Sequence, residues 1–194
     1  MVIQMRVSDL IKVAQKEIGY VEGKNNDTKY GIAYGMNNVY WCMQFIWWCF
    51  NQIDRTYFFD GNKCASCSQL MNWAKSKGFW VTKDFKPGDI LIYKWKNSKN
   101  TADHCGICFE AGRTYVVAVE GNTSKSSSGS QSNGDGVFKK RRDISLVLGA
   151  YRPKYEKEYS ELLKERAGLA DSTIDYLSKY KYADDLFRKL ATMK

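Results

Sequence analysis

Tyr40-Trp41-Cys42-Met43-Gln44-Phe45-Ile46-Trp47-Trp48-Cys49-Phe50 is the stretch on which the fold turns. Apolar side chains fall almost all the way round a helix drawn through it, and such a helix is buried on most of its faces. The run is interrupted by Gln44 and is far shorter than the roughly 20 residues that cross a bilayer. It therefore reads as the core helix of a globular domain, and no membrane span is predicted. Gly35 to Val39 reads as a turn, so Cys42 stands at the helix start and Cys49 in its middle.

Upstream, Leu10, Ile11, Ala14 and Ile18 recur at helical spacing, with Ser8 as N-cap and Gly19 as the stop. A polar loop over 21–28 and a short helix over 28–34 lead into the core helix. Downstream, a helix over 66–77 carries Leu70, Met71 and Trp73, with Gly78 beyond its end. Then the period changes. Pro87-Gly88-Asp89 signals a turn before the strand Ile90-Leu91-Ile92-Tyr93, and strands over 104–110 and 115–120 join at Ala111-Gly112-Arg113 as a hairpin. The Ser- and Gly-rich stretch 123–136 is a surface loop. Val137, Phe138 and the segment 146–151 complete the sheet. Helices followed by an antiparallel sheet make an α+β domain. After Pro153 the composition shifts to Glu, Lys, Leu and Tyr with helical periodicity. Helices are expected over 155–167, from a Ser172–Asp175 capping box, and over 183–193.

The chain has 194 residues and a formal charge of +9, and 21 of its 30 Lys and Arg precede residue 154. A basic surface favours polyanions in general. The runs Lys139-Lys140-Arg141-Arg142 and Lys94, Lys96, Lys99 read as solvated faces, and without an accompanying nucleic-acid motif no nucleic-acid partner is predicted. No signal peptide is recognised at the N-terminus. Six cysteines in a chain without a leader are expected as reduced thiols. Cys64 with Cys67 and Cys105 with Cys108 form two CxxC pairs, the ligand count of a zinc site, but 37 residues separate them. That gap exceeds the usual spacing of about 15 to 20, so buried free thiols are the default.

A thiol attacks as thiolate, and a helix N-terminus lowers its value from about 8.5 toward roughly 3.5 to 7.5. Cys42 has that placement; Cys49 does not. A nucleophilic thiol also needs a base and a group to orient it. His104 is the one histidine in the chain, and Glu120 and Asn122 stand at the matching end of the adjoining strand. Gly106 allows close approach beside the base.

Taken together, Tyr40-Trp41-Cys42-Met43-Gln44-Phe45, Pro87-Gly88-Asp89, Asp103-His104-Cys105-Gly106-Ile107 and Val119-Glu120-Gly121-Asn122-Thr123 resemble the CHAP family. These are cysteine, histidine-dependent amidohydrolases and peptidases with a papain-like fold. Asn133-Gly134-Asp135-Gly136-Val137 and Gly149-Ala150-Tyr151-Arg152-Pro153 also look like phage lysins of this family. The resemblance implies a catalytic domain over 1–153 and a helical tail over 154–194, serving wall binding or self-association. It implies Cys42 as nucleophile, His104 as base, and Glu120 or Asn122 as the group holding the imidazole. The implied substrate is peptidoglycan, of Gram-positive type, cut at the muramoyl–L-alanine bond or within the peptide, with anionic wall polymers as further partners. The protein would be made in the host cytoplasm and released to the wall.

Tyr40, Trp41, Tyr34 and Trp95 are candidates for lining the substrate groove. Some CHAP lysins bind calcium upstream of the nucleophile. Glu22, Asn25, Asn26 and Asp27 offer oxygens but too few charges in that order, so no cofactor is predicted. Two other readings stand beside this one: a papain-like protease or transferase acting on protein, and a noncatalytic module holding zinc through its thiols.

Overall fold

The computed structural model describes residues 5–126 and 128–193. The chain divides into two compact units, Met1–Lys154 and Tyr155–Lys194.

The first unit is α+β. Helix α1 (Val7–Lys16) starts with Arg6 at the N-cap, where Asp9 Oδ2 accepts from the Arg6 amide at 2.9 Å, so Asp9 does the work expected of Ser8. Helix α2 (Lys29–Tyr34) is capped by Thr28, whose hydroxyl accepts from the Gly31 amide, and stops at Gly35 in the left-handed region. Helix α3 (Cys42–Asn51) is the core helix, with only Trp48 and Asn51 outside the buried class. Helix α4 (Cys67–Ser76) is capped by Ser66, whose hydroxyl accepts from the Gln69 amide.

Six antiparallel strands follow: β1 (Trp80–Val81), β2 (Ile90–Tyr93), β3 (His104–Ala111), β4 (Tyr115–Thr123), β5 (Gly136–Asp143) and β6 (Val147–Tyr151), in the order β1-β6-β2-β3-β4-β5. The two-residue β1 is too short for a periodic signal and was not expected. Pro87-Gly88-Asp89 and Arg152 turn out to be one device. Asp89 is buried, and Arg152 donates to its two oxygens from Nε and Nη2, both at 2.8 Å. A forked pair of this kind fixes both planes at once. It ties the start of β2 to the end of β6.

Helix α3 lies on the face of the sheet that carries Gly121. A Cβ at that position would stand 2.7 Å from both Phe45 Cβ and Trp41 Cζ3. Only a bare backbone lets β4 and the N-terminal half of α3 approach so closely. On the other face, Leu91, Tyr93, Cys108, Val116, Ala118 and Ala150 form a separate cluster with Trp95 packed against it.

The second unit holds α5 (Tyr159–Ala167), α6 (Asp171–Ser178) and α7 (Ala183–Thr192) around Leu163, Ile174, Ala183, Phe187 and Ala191. Its caps differ from expectation. Glu158 and Glu161 form the capping box of α5, and α6 begins at Asp171, which leaves Ser172 inside the helix.

Replacing Gly121 with Ala forces α3 and β4 apart. The expected cost is about 1–3 kcal/mol, read as a lower urea midpoint at unchanged m-value. An unchanged midpoint would show that the two elements do not pack this tightly.

Candidate active site

The sulfur of Cys42 sits at the first helical position of α3, where the amides of the opening turn have no intrahelical carbonyl to bond. The residue as a whole keeps 8% of its surface exposed, whereas His104, the first residue of β3, has none. The imidazole is oriented from the far side: Nε2 lies 3.1 Å from Glu120 Oε2. With Nε2 so engaged, Nδ1 is the nitrogen left for Cys42, and it is buried without another partner.

Glu120 does not stand directly opposite His104 in the ladder. Ile107 pairs with Val119, and a Cβ on Gly106 would lie 2.7 Å from Glu120 Cγ. The carboxylate therefore crosses the space that Gly106 leaves open and reaches the imidazole along one face of the sheet. The offset from simple hairpin counting about Gly112 arises at the turn, where Ala111 already pairs with Val116, and the bulge between Cys108 and Glu110 takes back one residue of it.

Behind Glu120 stands Arg142 of β5, which was read as part of a solvated basic run. It is 9% exposed and donates from Nε to Oε1 at 3.0 Å and from Nη2 to Oε2 at 2.5 Å. The signal that could have found it is the period of two. Along β5, Lys139 and Arg141 point out to solvent while Arg142 turns inward.

Asn122, the other candidate orienter, does something else. Its Nδ2 donates to the carbonyl of Ser132 at 3.2 Å and its backbone is left-handed. Ser132 also accepts from Trp95 Nε1, and Gln131 Oε1 accepts from Arg142 Nη1. The Ser- and Gly-rich loop is thus pinned over the His104–Glu120–Arg142 line and keeps water from it.

Two of the four groove candidates are corrected. Trp41 is wholly buried, stacked on Tyr30 and donating from Nε1 to Glu22 Oε2 at 2.5 Å. Tyr34 is buried edge-on against Trp47. Both serve the core. Tyr40 is 66% exposed two residues before Cys42, and Trp95 is half-buried with its ring 5.8 Å from that of His104.

In the upstream loop, Glu22 is engaged by Trp41, and Asp27 Oδ1 accepts from Asn37 Nδ2 at 2.5 Å. Asn25 and Asn26 both adopt positive φ to turn the loop, and the Asn25 carbonyl accepts from Asn38 Nδ2. Asn26 Oδ1 is buried without a hydrogen-bond partner. The two CxxC pairs do not assemble. Cys64 Sγ bonds the Ser66 carbonyl and Cys108 Sγ the Glu110 carbonyl, each apart from the other pair's sulfurs.

The electrostatics follow the contacts. Hydrogen bonds from the Cys105 and Cys67 thiols, together with His104, hold Cys42 well below the ordinary thiol range against the effect of burial. Burial works against protonated His104, but its contacts with Cys42 and Glu120 prevail and raise it to about 9. Burial likewise opposes ionised Glu120, and His104 and Arg142 outweigh it, so the carboxyl is held below its usual value. At neutral pH the line reads thiolate, imidazolium, carboxylate, guanidinium.

Residues 33–122 match the family model of the CHAP domain, which takes in Cys42, His104, Glu120 and Asn122. No curated protein matches the sequence. Among solved structures, a wild-type endolysin, LysIME-EF1, is similar at 17% identity and a TM-score of 0.48. The alignment covers 78% of this chain and 66% of that one, just under two thirds of its length.

Because Glu120 raises His104, Glu120→Gln lowers the pH at which the imidazolium loses its proton. The alkylation rate of Cys42 by iodoacetamide, followed by peptide mass, is expected to show an inflection near pH 9 in the wild type. That inflection moves to lower pH in the variant; an unmoved one refutes the coupling. Arg142→Leu strands a buried carboxylate and is expected to cost about 3–5 kcal/mol in urea denaturation. A cost under about 1 kcal/mol would mean the surface-run reading of Arg142 was right.

Proposed function

Given the match of residues 33–122 to the CHAP domain, we propose that the protein is a peptidoglycan hydrolase of the phage-lysin type. It cuts an amide bond of the wall with Cys42 as nucleophile. The observation that carries this reading is the hydrogen-bonded line from His104 through Glu120 to Arg142, with Cys42 beside the imidazole. A solvated cysteine has no such line behind it.

In the first step the Cys42 thiolate attacks the carbonyl carbon, and negative charge passes to the carbonyl oxygen. The free amides at the start of α3 are placed to receive it. Collapse of the tetrahedral adduct breaks the C–N bond, and the proton on His104 goes to the departing nitrogen. That leaves a thioester and a neutral imidazole. Water then attacks, giving its proton to His104 and its oxygen to the acyl group, and Cys42 leaves as thiolate. Glu120 keeps the ring in one orientation throughout and favours its charged form, and Arg142 keeps Glu120 ionised.

The substrate is the amide between muramic acid and L-alanine or a peptide bond of the stem or cross-bridge, in walls of Gram-positive type. Both bonds present the same carbonyl to the same thiolate. Lys139 and Arg141, exposed on β5, suit the anionic polymers of such walls. Among the described residues no helix is long and apolar enough to cross a membrane, and release from the host cytoplasm to the wall accords with that. In the second unit Tyr176, Tyr180 and Tyr182 are exposed. Aromatic surface of this kind suits wall binding or self-association.

Purified walls from several Gram-positive genera are digested with wild type and Cys42→Ala, and the new amino termini are read by mass spectrometry. The wild type is expected to clear walls and release muramoyl-free stem peptides or cut cross-bridges, and the variant to lose at least about a thousandfold in rate. Equal clearing by both proteins would sink the thiol mechanism. Inert walls alongside cleaved protein substrates would favour a papain-like protease instead.

A further inference from the structure

Thiol catalysis needs one sulfur, and three meet here. Cys42 opens α3, Cys67 opens α4 and Cys105 is the second residue of β3, and their Sγ atoms all lie within 4.8 Å of one another. All three are at least nine-tenths buried. Among the described residues this is the one His, Cys, Asp or Glu group with metal-ligand spacing.

Two further observations point to a ligand. Cys42 and Cys67 both stand at the first position of ten-residue helices, so two helix N-termini converge on the same spot. His104 lies outside the sulfur group itself, but its Nδ1, on the Cys42 side, is a buried nitrogen with no hydrogen-bond partner. Three thiolates and an imidazole make a standard tetrahedral zinc set, and soft donors of this kind reject calcium and magnesium. With Zn–S bonds of about 2.3 Å, tetrahedral geometry places sulfurs roughly 3.8 Å apart. The trio, within 4.8 Å of one another, would have to close to that spacing as the ion binds.

We propose that Cys42, Cys67 and Cys105, completed by His104 Nδ1, bind one Zn2+ per chain and that the bound ion silences the enzyme. Its inhibitory consequence rests on Cys42 and His104 being nucleophile and base; the binding itself does not. Starting from a thiolate Cys42, two thiols and an imidazolium, coordination of one Zn2+ releases three protons. No electron is transferred. Affinity therefore rises with pH. While the ion is held, neither the sulfur lone pair nor the imidazole nitrogen is free to react, and a chelator restores both.

The test uses the full chain, reduced and metal-free, titrated with Co2+ as a spectroscopic stand-in. One equivalent is expected to give the intense visible bands of tetrahedral cobalt and a sulfur-to-metal charge-transfer band, both erased by Zn2+. Cys67→Ser and Cys105→Ser should each weaken binding at least tenfold, while Cys64→Ser and Cys108→Ser leave it unchanged. Zinc-edge X-ray absorption of the wild type counts ligands without any variant, so misfolding of a serine variant leaves the question answerable. Three sulfurs and one nitrogen are expected.

An oxygen-dominated shell, the absence of a thiolate spectrum, or full affinity in Cys67→Ser each overturns the proposal. For the inhibition, wall clearing should fall with one equivalent of Zn2+ and return with a chelator. Clearing that persists with the site filled overturns the silencing. A metal-free protein that never clears walls counts against the hydrolase reading, while the cobalt spectrum still decides the site.

Discussion

A carboxylate with no exposed surface, Glu120, is held between a guanidinium and an imidazole. Burying one charge in a protein interior costs several kcal/mol, and one counterion in good geometry roughly offsets it. Here four charges alternate in sign across four successive elements: Cys42 on α3, His104 on β3, Glu120 on β4 and Arg142 on β5. Each interior charge has an opposite neighbour on both sides, and the line is neutral as a whole. Remove one member and the rest become uncompensated, so stability and reactivity depend on the same contacts.

Much of the surrounding structure keeps that line dry and in register. Gly106 opens the space the Glu120 side chain crosses, and Gly121 lets α3 come down onto β4 so that Cys42 reaches the end of β3. Tyr93 and Trp95 stack beside the imidazole, with Tyr93 ring and His104 ring 6.1 Å apart. Ser132 and Gln131 fasten the polar loop over Trp95, Asn122 and Arg142. A loop composed almost wholly of Ser, Gly, Asn and Asp thereby acquires a fixed path from hydrogen bonds to the site it covers.

The elements legible in the sequence were those whose signal is local. The burial of α3, the helices α2 and α4, the β2 strand and the β3–β4 hairpin all follow from period and turn chemistry over a few residues. Cys42, His104 and Glu120 were legible because a helix start and the two ends of a hairpin place them. What escaped was set by pairing across the chain. Arg142 looked like one of four consecutive cations, and only the partner it meets 22 residues away tells it from Arg141. Trp41 and Tyr34 looked like groove residues because adjacency in sequence to a nucleophile says nothing about which way a ring faces. The CxxC pairs are buried free thiols as their spacing suggested, but the meeting of one sulfur of each pair with Cys42, while the other two turn to nearby backbone carbonyls, is again set by pairing across the chain.

The motifs that carry the resemblance divide in a physically meaningful way. Those around Cys42, His104 and Glu120 supply the groups of the proposed reaction, while Asp89 and Arg152 supply a clamp between β2 and β6. Between them lies an asymmetry of access. His104 is sealed on the sheet side by Trp95 and the loop over Arg142, whereas Cys42 retains its exposed edge beside Tyr40. In the proposed reaction a substrate arrives over the N-terminus of α3, with its carbonyl oxygen toward the free amides there, and the water that would release the acyl group enters by the same side. On that proposal the order of events follows from burial: the leaving amine clears the opening before hydrolysis begins.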